Sequence, residues 1–283
     1  LLINTINGDL LNFNYNNKTY TKHIGAALDK QFKLFGITID RLNMQETVQV
    51  IREWLQAQER SCKYVVTPNV DHVVVLEKNI KFQQAYDKAA LTVIDGNPVL
   101  WVARMLGEPV PSTVRGSDLT PAIFACCNTN HEQVKVFLLG AAVGVADRAA
   151  ANITQQWPFV SVVGTMSPPY GFEKSSAESD TICNAVNASG ADLLVIGLGA
   201  PKQELWVHQY QQQLSVKVAL CVGATIDFMA GEKSRAPVWM RKAYLEWLHR
   251  ALSEPKRLGM RYLKDGIVFP RLVLKEYFAK KRI

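Results

Sequence analysis

The residue best placed for proton transfer is Asp95, which ends the apolar run LTVI and precedes Gly96. A glycine there permits a tight turn and leaves the carboxylate facing open space, as a general base requires. A plain turn-forming Asp-Gly pair reads the same way. Upstream, the turn TPN after KYVV offers the Thr67 hydroxyl and the Asn69 amide, groups suited to orienting ligand hydroxyls, with Pro68 stiffening the bend. In VRGSDL, Arg115 stands just before a helix start, where a guanidinium and free backbone N–H groups together could hold a phosphate. A surface arginine beside a turn is the simpler alternative.

The segment VIGLGAPKQE ends a strand in a Gly-x-Gly turn, with Gly199 allowing backbone to approach a ligand and Pro201 opening a helix. It is not a dinucleotide fingerprint, because Lys202 occupies the place of the third glycine. Lys202, Gln203 and Glu204 then read either as partners of a pyrophosphate or sugar, or as a polar helix start. Asp227 in GATIDFMAG suits acceptance of ribose hydroxyls, or a helix N-cap. The five histidines show no metal-ligand spacing, and no Asp-x-Asp triplet is present to hold a divalent ion on a pyrophosphate. No metal is therefore expected, and charge on a nucleotide leaving group would fall to arginines, lysines and helix N-termini.

These residues sit in a repeating text. KYVVTPN, LTVIDGNP, KVFLLGAA, VSVVG, ADLLVIG and VKVALCVG are strand-like runs separated by amphipathic stretches. This alternation predicts an α/β fold with a Rossmann-like, mostly parallel sheet and flanking helices. In such sheets ligands lie beyond the carboxyl ends of the strands, so TPN, DG, LLGAA, GLGAPKQE and GATIDF are expected to converge on one cleft. Ser117 is the expected N-cap of the helix through SDLTPAIFACC.

Three segments follow: an Asn-rich arm over 1–34, a core over 35–230 and an appendage over 231–283. The appendage carries 14 Lys and Arg against 5 Asp and Glu, whereas the rest of the chain balances at 18 against 20. Trp, Tyr, Leu and Met interleave with these cations at helical spacing, predicting two or three amphipathic helices broken at Pro255 and Pro270. Such a segment fits an anionic membrane surface; the large apolar share disfavours nucleic acid. Five cysteines without C-x-x-C spacing predict a reducing compartment with no disulfide or zinc site. No run is long enough to span a bilayer and no signal pattern is seen, so a cytoplasmic protein is expected. A homo-oligomer is left open.

Taken in order, TPN, IDGNP, VRGSDL, GLGAPKQE, VGATIDFMAG, SRAP and the basic tail resemble the WecG/TagA/CpsF family, glycosyltransferase family 26, over about residues 35–262. The resemblance implies an inverting enzyme of cell-surface polysaccharide assembly, peripheral on the inner face of the bacterial cell membrane. It would move N-acetylmannosamine, its uronic acid or a hexose from a UDP-sugar to an undecaprenyl-pyrophosphate-linked saccharide. It further implies Asp95 as catalytic base, Thr67, Asn69 and Arg115 in the pocket and Gln203 on the donor. Gly140 and Asp227 would hold the uridine, and Arg235, Arg241, Arg250, Arg257 and Arg261 would close over the pyrophosphate. The rival readings are a nucleotide-binding oxidoreductase and a non-catalytic basic membrane or nucleic-acid-binding protein.

Overall fold

The structure, a computed structural model, describes residues 31–234, 236–237, 239–240 and 245–281, with backbone alone at Arg250, Lys256 and Arg257. The apolar runs become strands because their β-branched residues fit a sheet buried on both faces, which needs no polar alternation. Strands β1 (Gln31–Leu34) and β2 (Ile37–Asp40) form an antiparallel hairpin. Six further strands follow: β3 (Lys63–Val66), β4 (Leu91–Thr92), β5 (Val134–Gly140), β6 (Val160–Met166), β7 (Leu193–Gly197) and β8 (Val218–Cys221). They make one parallel sheet in the order β4-β3-β8-β7-β5-β6. Neighbouring residues face opposite cores: Tyr64 and Val66 pack on one side, Val65 on the other.

The helices in chain order are α1 (Met44–Gln56), α2 (Val70–Leu76), α3 (Ile80–Asp87), α4 (Asn97–Met105), α5 (Gly116–Thr129) and α6 (Val145–Gln156). They continue with α7 (Ser176–Ala188), α8 (Lys202–Tyr210), α9 (Thr225–Met229), α10 (Glu246–Ser253) and α11 (Pro255–Lys280). Helix α1 starts in a full capping box, in which the Asn43 side chain accepts from Glu46 N and the Glu46 carboxylate accepts from Asn43 N, both at 2.9 Å. Helices α1, α5, α6 and α9 contribute to the core on one sheet face. The hairpin, α2, α3 and α8 contribute to the other, together with Leu272 of α11.

Three sequence expectations change here. Residues 31–34, placed in the arm, form β1, whose Phe32 and Leu34 are core residues; residues 1–30 lie outside the described residues. Pro270 does not break the appendage, because α11 runs through it. The residue four positions back, whose carbonyl a proline ring would crowd, is Gly266, and the surroundings of Gly266 are open enough to absorb the distortion. Ser117 is not the cap of α5; that position is Arg115, with no side-chain capping bond.

Ion pairs fasten α11 to the body: Arg261 to Asp71 (3.4 Å), Lys275 to Glu77 (3.2 Å), and Lys280 to Glu108, which also pairs with Arg41. Among the described residues no helix is long and apolar enough to cross a membrane.

Candidate active site

A cavity of about 520 Å³ lies at the carboxyl end of the sheet, roofed by α10 and α11. Strand β4 stops at Thr92, and the chain continues to Asp95, whose N–H donates to Pro68 O at 3.0 Å, drawing the two turns together. The Asp95 carboxylate lines the cavity. Gly96 has an ordinary φ of −101°, so its role is space and not a left-handed turn: a Cβ there would stand 3.3 Å from the Asn69 Cβ.

Asn69 lines the same cavity as N-cap of α2, where its Oδ1 accepts from His72 N at 3.3 Å. Its Nδ2 has no partner among the described residues. Thr67 is 4% exposed and outside the lining, its hydroxyl making a long 3.5 Å bond to Cys221 O. Arg115 reaches the cavity from the start of α5 and pairs with Glu246 of α10 at 3.3 Å. The N-terminus of α5 comes close because Gly116 packs on Val222, where a Cβ would meet the valine side chain at 3.0 Å. A smaller, polar cavity of about 300 Å³ adjoins through Asn97 and Arg115 and is bordered by Arg104, Ser112 and Thr113.

The five predicted loops do not all open into this space. TPN, DG and GATIDF do, but LLGAA and GLGAPKQE lie beyond β8 along the strand-end edge, because the sheet order puts β7 and β5 there. Gly140 (φ +120°) holds a backbone crossing, with a Cβ position 2.6 Å from Gly197 O. Gly199 has φ +76° and open space around it. Lys202 pairs with Glu173 at 3.5 Å and stands 4.1 Å over the Tyr170 ring. Asp227 sits inside the first turn of α9, not at its cap, and pairs with Lys233 at 3.8 Å.

Gln203 is only 2% exposed, and its polar atoms bind protein. Its Oε1 accepts from Gly199 N (3.2 Å) and Gly223 N (3.1 Å), while Nε2 donates to Glu204 at 2.7 Å. It clasps the loop after β7 to the loop after β8. Glu204 is fully buried, and burial pushes its carboxyl up to about 7. Nearby, buried His72 shares a 2.5 Å hydrogen bond with Tyr86, and burial holds its ring down to about 3, hence neutral.

Sequence reasoning missed the cavity's other acids. Asp71, two residues after Asn69, lies on α2; burial raises its carboxyl, against the pull of Arg261 and Lys264. Asp265, the acid in KDG, projects from α11. Its periodic position among basic neighbours was the only available signal. Of the appendage arginines, Arg261 reaches the cavity, Arg235 and Arg241 lie outside the described residues, and the side chains of Arg250 and Arg257 are likewise not described. All five cysteines are free, and burial pushes Cys62 and Cys127 up to about 12, which makes them poor nucleophiles.

The family model for the glycosyl transferase WecG/TagA/CpsF family matches residues 32–283. Among curated proteins, the chain is 29% identical over 250 residues to the N-acetylglucosaminyldiphosphoundecaprenol N-acetyl-beta-D-mannosaminyltransferase of Staphylococcus aureus strain MRSA252, covering 88% of this chain and 93% of that one. The proteins of the same description from strains MW2 and NCTC 8325 / PS 47 are 28% identical with the same coverage. With its parallel sheet, its strand-end cavity and a match running from the hairpin to the end of α11, this chain belongs to the glycosyl transferase WecG/TagA/CpsF family.

Proposed function

We propose that this protein transfers a sugar, N-acetylmannosamine in the first instance, from its UDP derivative to an N-acetylglucosaminyl-pyrophosphoryl lipid. The observation that carries the reading is the meeting of Asp95, Asn69 and the Arg115-bearing start of α5 on one cavity at the strand ends. The relatives' names supply the acceptor and the sugar.

In this mechanism the acceptor hydroxyl oxygen attacks the anomeric carbon as Asp95 takes its proton. A new carbon–oxygen bond forms, and the bond to UDP breaks on the opposite face, with the electron pair leaving on the diphosphate. One displacement inverts the anomeric centre. Arg115 and the N–H groups opening α5 meet the developing phosphate charge, and no divalent ion takes part. The Asn69 Nδ2 orients a sugar oxygen. Uridine lies along the Gly140, Gly199 and Asp227 side of the edge, with Lys202 near the diphosphate, while Gln203 sets loop geometry.

The protein works at the inner membrane surface. Supporting this, Met260, Leu263, Ile267, Leu274 and Phe278 of α11 recur at helical spacing and are all more than half exposed, on a helix rich in Lys and Arg.

Asp95→Asn should lower kcat for transfer to a short-chain prenyl-pyrophosphoryl N-acetylglucosamine at least ~10²-fold while UDP affinity holds. The assay is run with and without chelator. Full activity in the variant would remove Asp95 from the role, and loss of wild-type activity in chelator would remove the metal-free mechanism.

A further inference from the structure

Two polar atoms in the cavity wall are buried without a partner, and they are of opposite kind. Asp265 is 4% exposed and lines the cavity, yet its Oδ1 accepts no hydrogen bond. Arg261, one turn earlier on α11, also lines the cavity; its NH1 side pairs with Asp71, but its Nε–H is buried and donates to nothing. Unmade bonds of this kind are costly in a protein interior, and their usual explanation is a ligand that completes them. Space is available, since a Cβ on neighbouring Gly266 would touch nothing within 4 Å.

The pairing restricts what can fill the gap. An anion would satisfy Arg261 but meet the carboxyls of Asp265 and Asp71. A cation would satisfy Asp265 and leave Arg261 without an acceptor. A group that both donates and accepts satisfies the two together: a sugar hydroxyl, or an acetamido group presenting N–H to one and C=O to the other. Tyr262, in the same lining, adds a ring face of the kind pyranoses pack against.

We propose that Asp265 and Arg261 form a subsite on α11 that reads a hydroxyl or acetamido group of a neutral pyranose and selects against a sugar bearing a carboxylate. The proposal rests on the transferase reading above and specifies the substrate class of that site. It gives Arg261 a task other than clamping pyrophosphate. Burial holds the Asp265 carboxyl up to about 6, with the Asp71 charge pushing the same way and Arg261 and Lys264 opposing, as expected of an acid awaiting a partner.

The sugar could belong to the acceptor or to the donor, and the test separates them. The full chain and Asp265→Leu are compared by melting temperature, by calorimetric binding of short-chain prenyl-pyrophosphoryl N-acetylglucosamine and of UDP-N-acetylmannosamine, and by kcat and KM. Leucine removes the unpaired carboxyl, so the ligand-free variant should melt no lower than the parent. Affinity and KM for one of the two substrates should worsen about tenfold or more, with kcat nearly unchanged, and the affected substrate identifies the sugar. Asp265→Asn keeps the shape and should worsen the same substrate's KM about threefold or more, which keeps the proposal testable if the leucine variant does not fold.

Unchanged affinities in both variants would overturn the subsite, as would a lower melting temperature with kcat reduced at constant KM, the pattern of a structural residue. Wild-type protein that transfers normally beside unaltered variants removes the subsite alone. Wild-type protein that transfers nothing removes the transferase reading and the subsite with it.

Discussion

Replacing Gln203 by leucine separates a structural clasp from a donor contact. Two backbone N–H groups, of Gly199 and Gly223, lose the acceptor that holds them at 3.2 and 3.1 Å, and Glu204 loses its donor. An orphaned buried donor costs ~1–3 kcal/mol, giving ~2–6 kcal/mol for the pair. Both glycines are half-buried, so water recovers part of the loss and the lower half of that range applies. For a chain of this size each kcal/mol lowers the melting temperature by ~2–4 °C, so a fall of roughly 4–12 °C is expected by calorimetry or far-UV circular dichroism. Transfer should fall as well, because Val222 and Ala224 on either side of Gly223 line the cavity. Were Gln203 instead a donor ligand, melting would hold while the KM for the UDP-sugar rose. A melting temperature within about 1 °C of the parent would refute the clasp.

Glu204→Gln should flatten the pH dependence of stability. The folded carboxyl sits at about 7, above its ordinary 4.5, so its contribution is complete below about pH 4.5 and is lost as pH rises toward 7. Asp265 adds a slope of the same sign that both proteins retain, so the difference between their melting curves from acid to neutral pH isolates Glu204. Gly140→Ala, with its Cβ 2.6 Å from a backbone oxygen and φ at +120°, should cost at least ~2 kcal/mol by denaturant titration, whereas Gly171→Ala, strained but unobstructed, should cost less. Serines at Leu263, Ile267 and Leu274 should reduce sedimentation with anionic phosphatidylglycerol vesicles at least ~tenfold, since each apolar side chain contributes ~1.5–3 kcal/mol when buried, without lowering the melting temperature.

The sheet was readable in the sequence because every strand buried on both faces appears as an uninterrupted apolar run, and all six runs became its strands. The helix start at Arg115 and the Asp95 turn were readable for a related reason: Gly and polar residues mark where apolar runs end. What stayed hidden was set by the partner across space. Gly96 looks like a turn former, yet it serves the approach of Asn69. Gln203 looks like a ligand group until its two glycine partners are placed beside it. Pro270 reads as a breaker because local propensity knows nothing of the space around Gly266. Strand order, which parts the Gly140 and Gly199 turns from the Asp95 cavity, leaves no trace in strand sequences of uniform composition.

Helix α11 presents Arg261, Tyr262, Asp265 and Phe269 to the reaction chamber and Met260, Leu263 and Ile267 to the outside. One rigid rod thus carries two recognition faces, and thermodynamic linkage makes them answer to each other. If an outside surface holds the seated rod more firmly than the unseated one, it tightens sugar binding by some factor. A filled chamber must then strengthen the grip on that surface by the same factor.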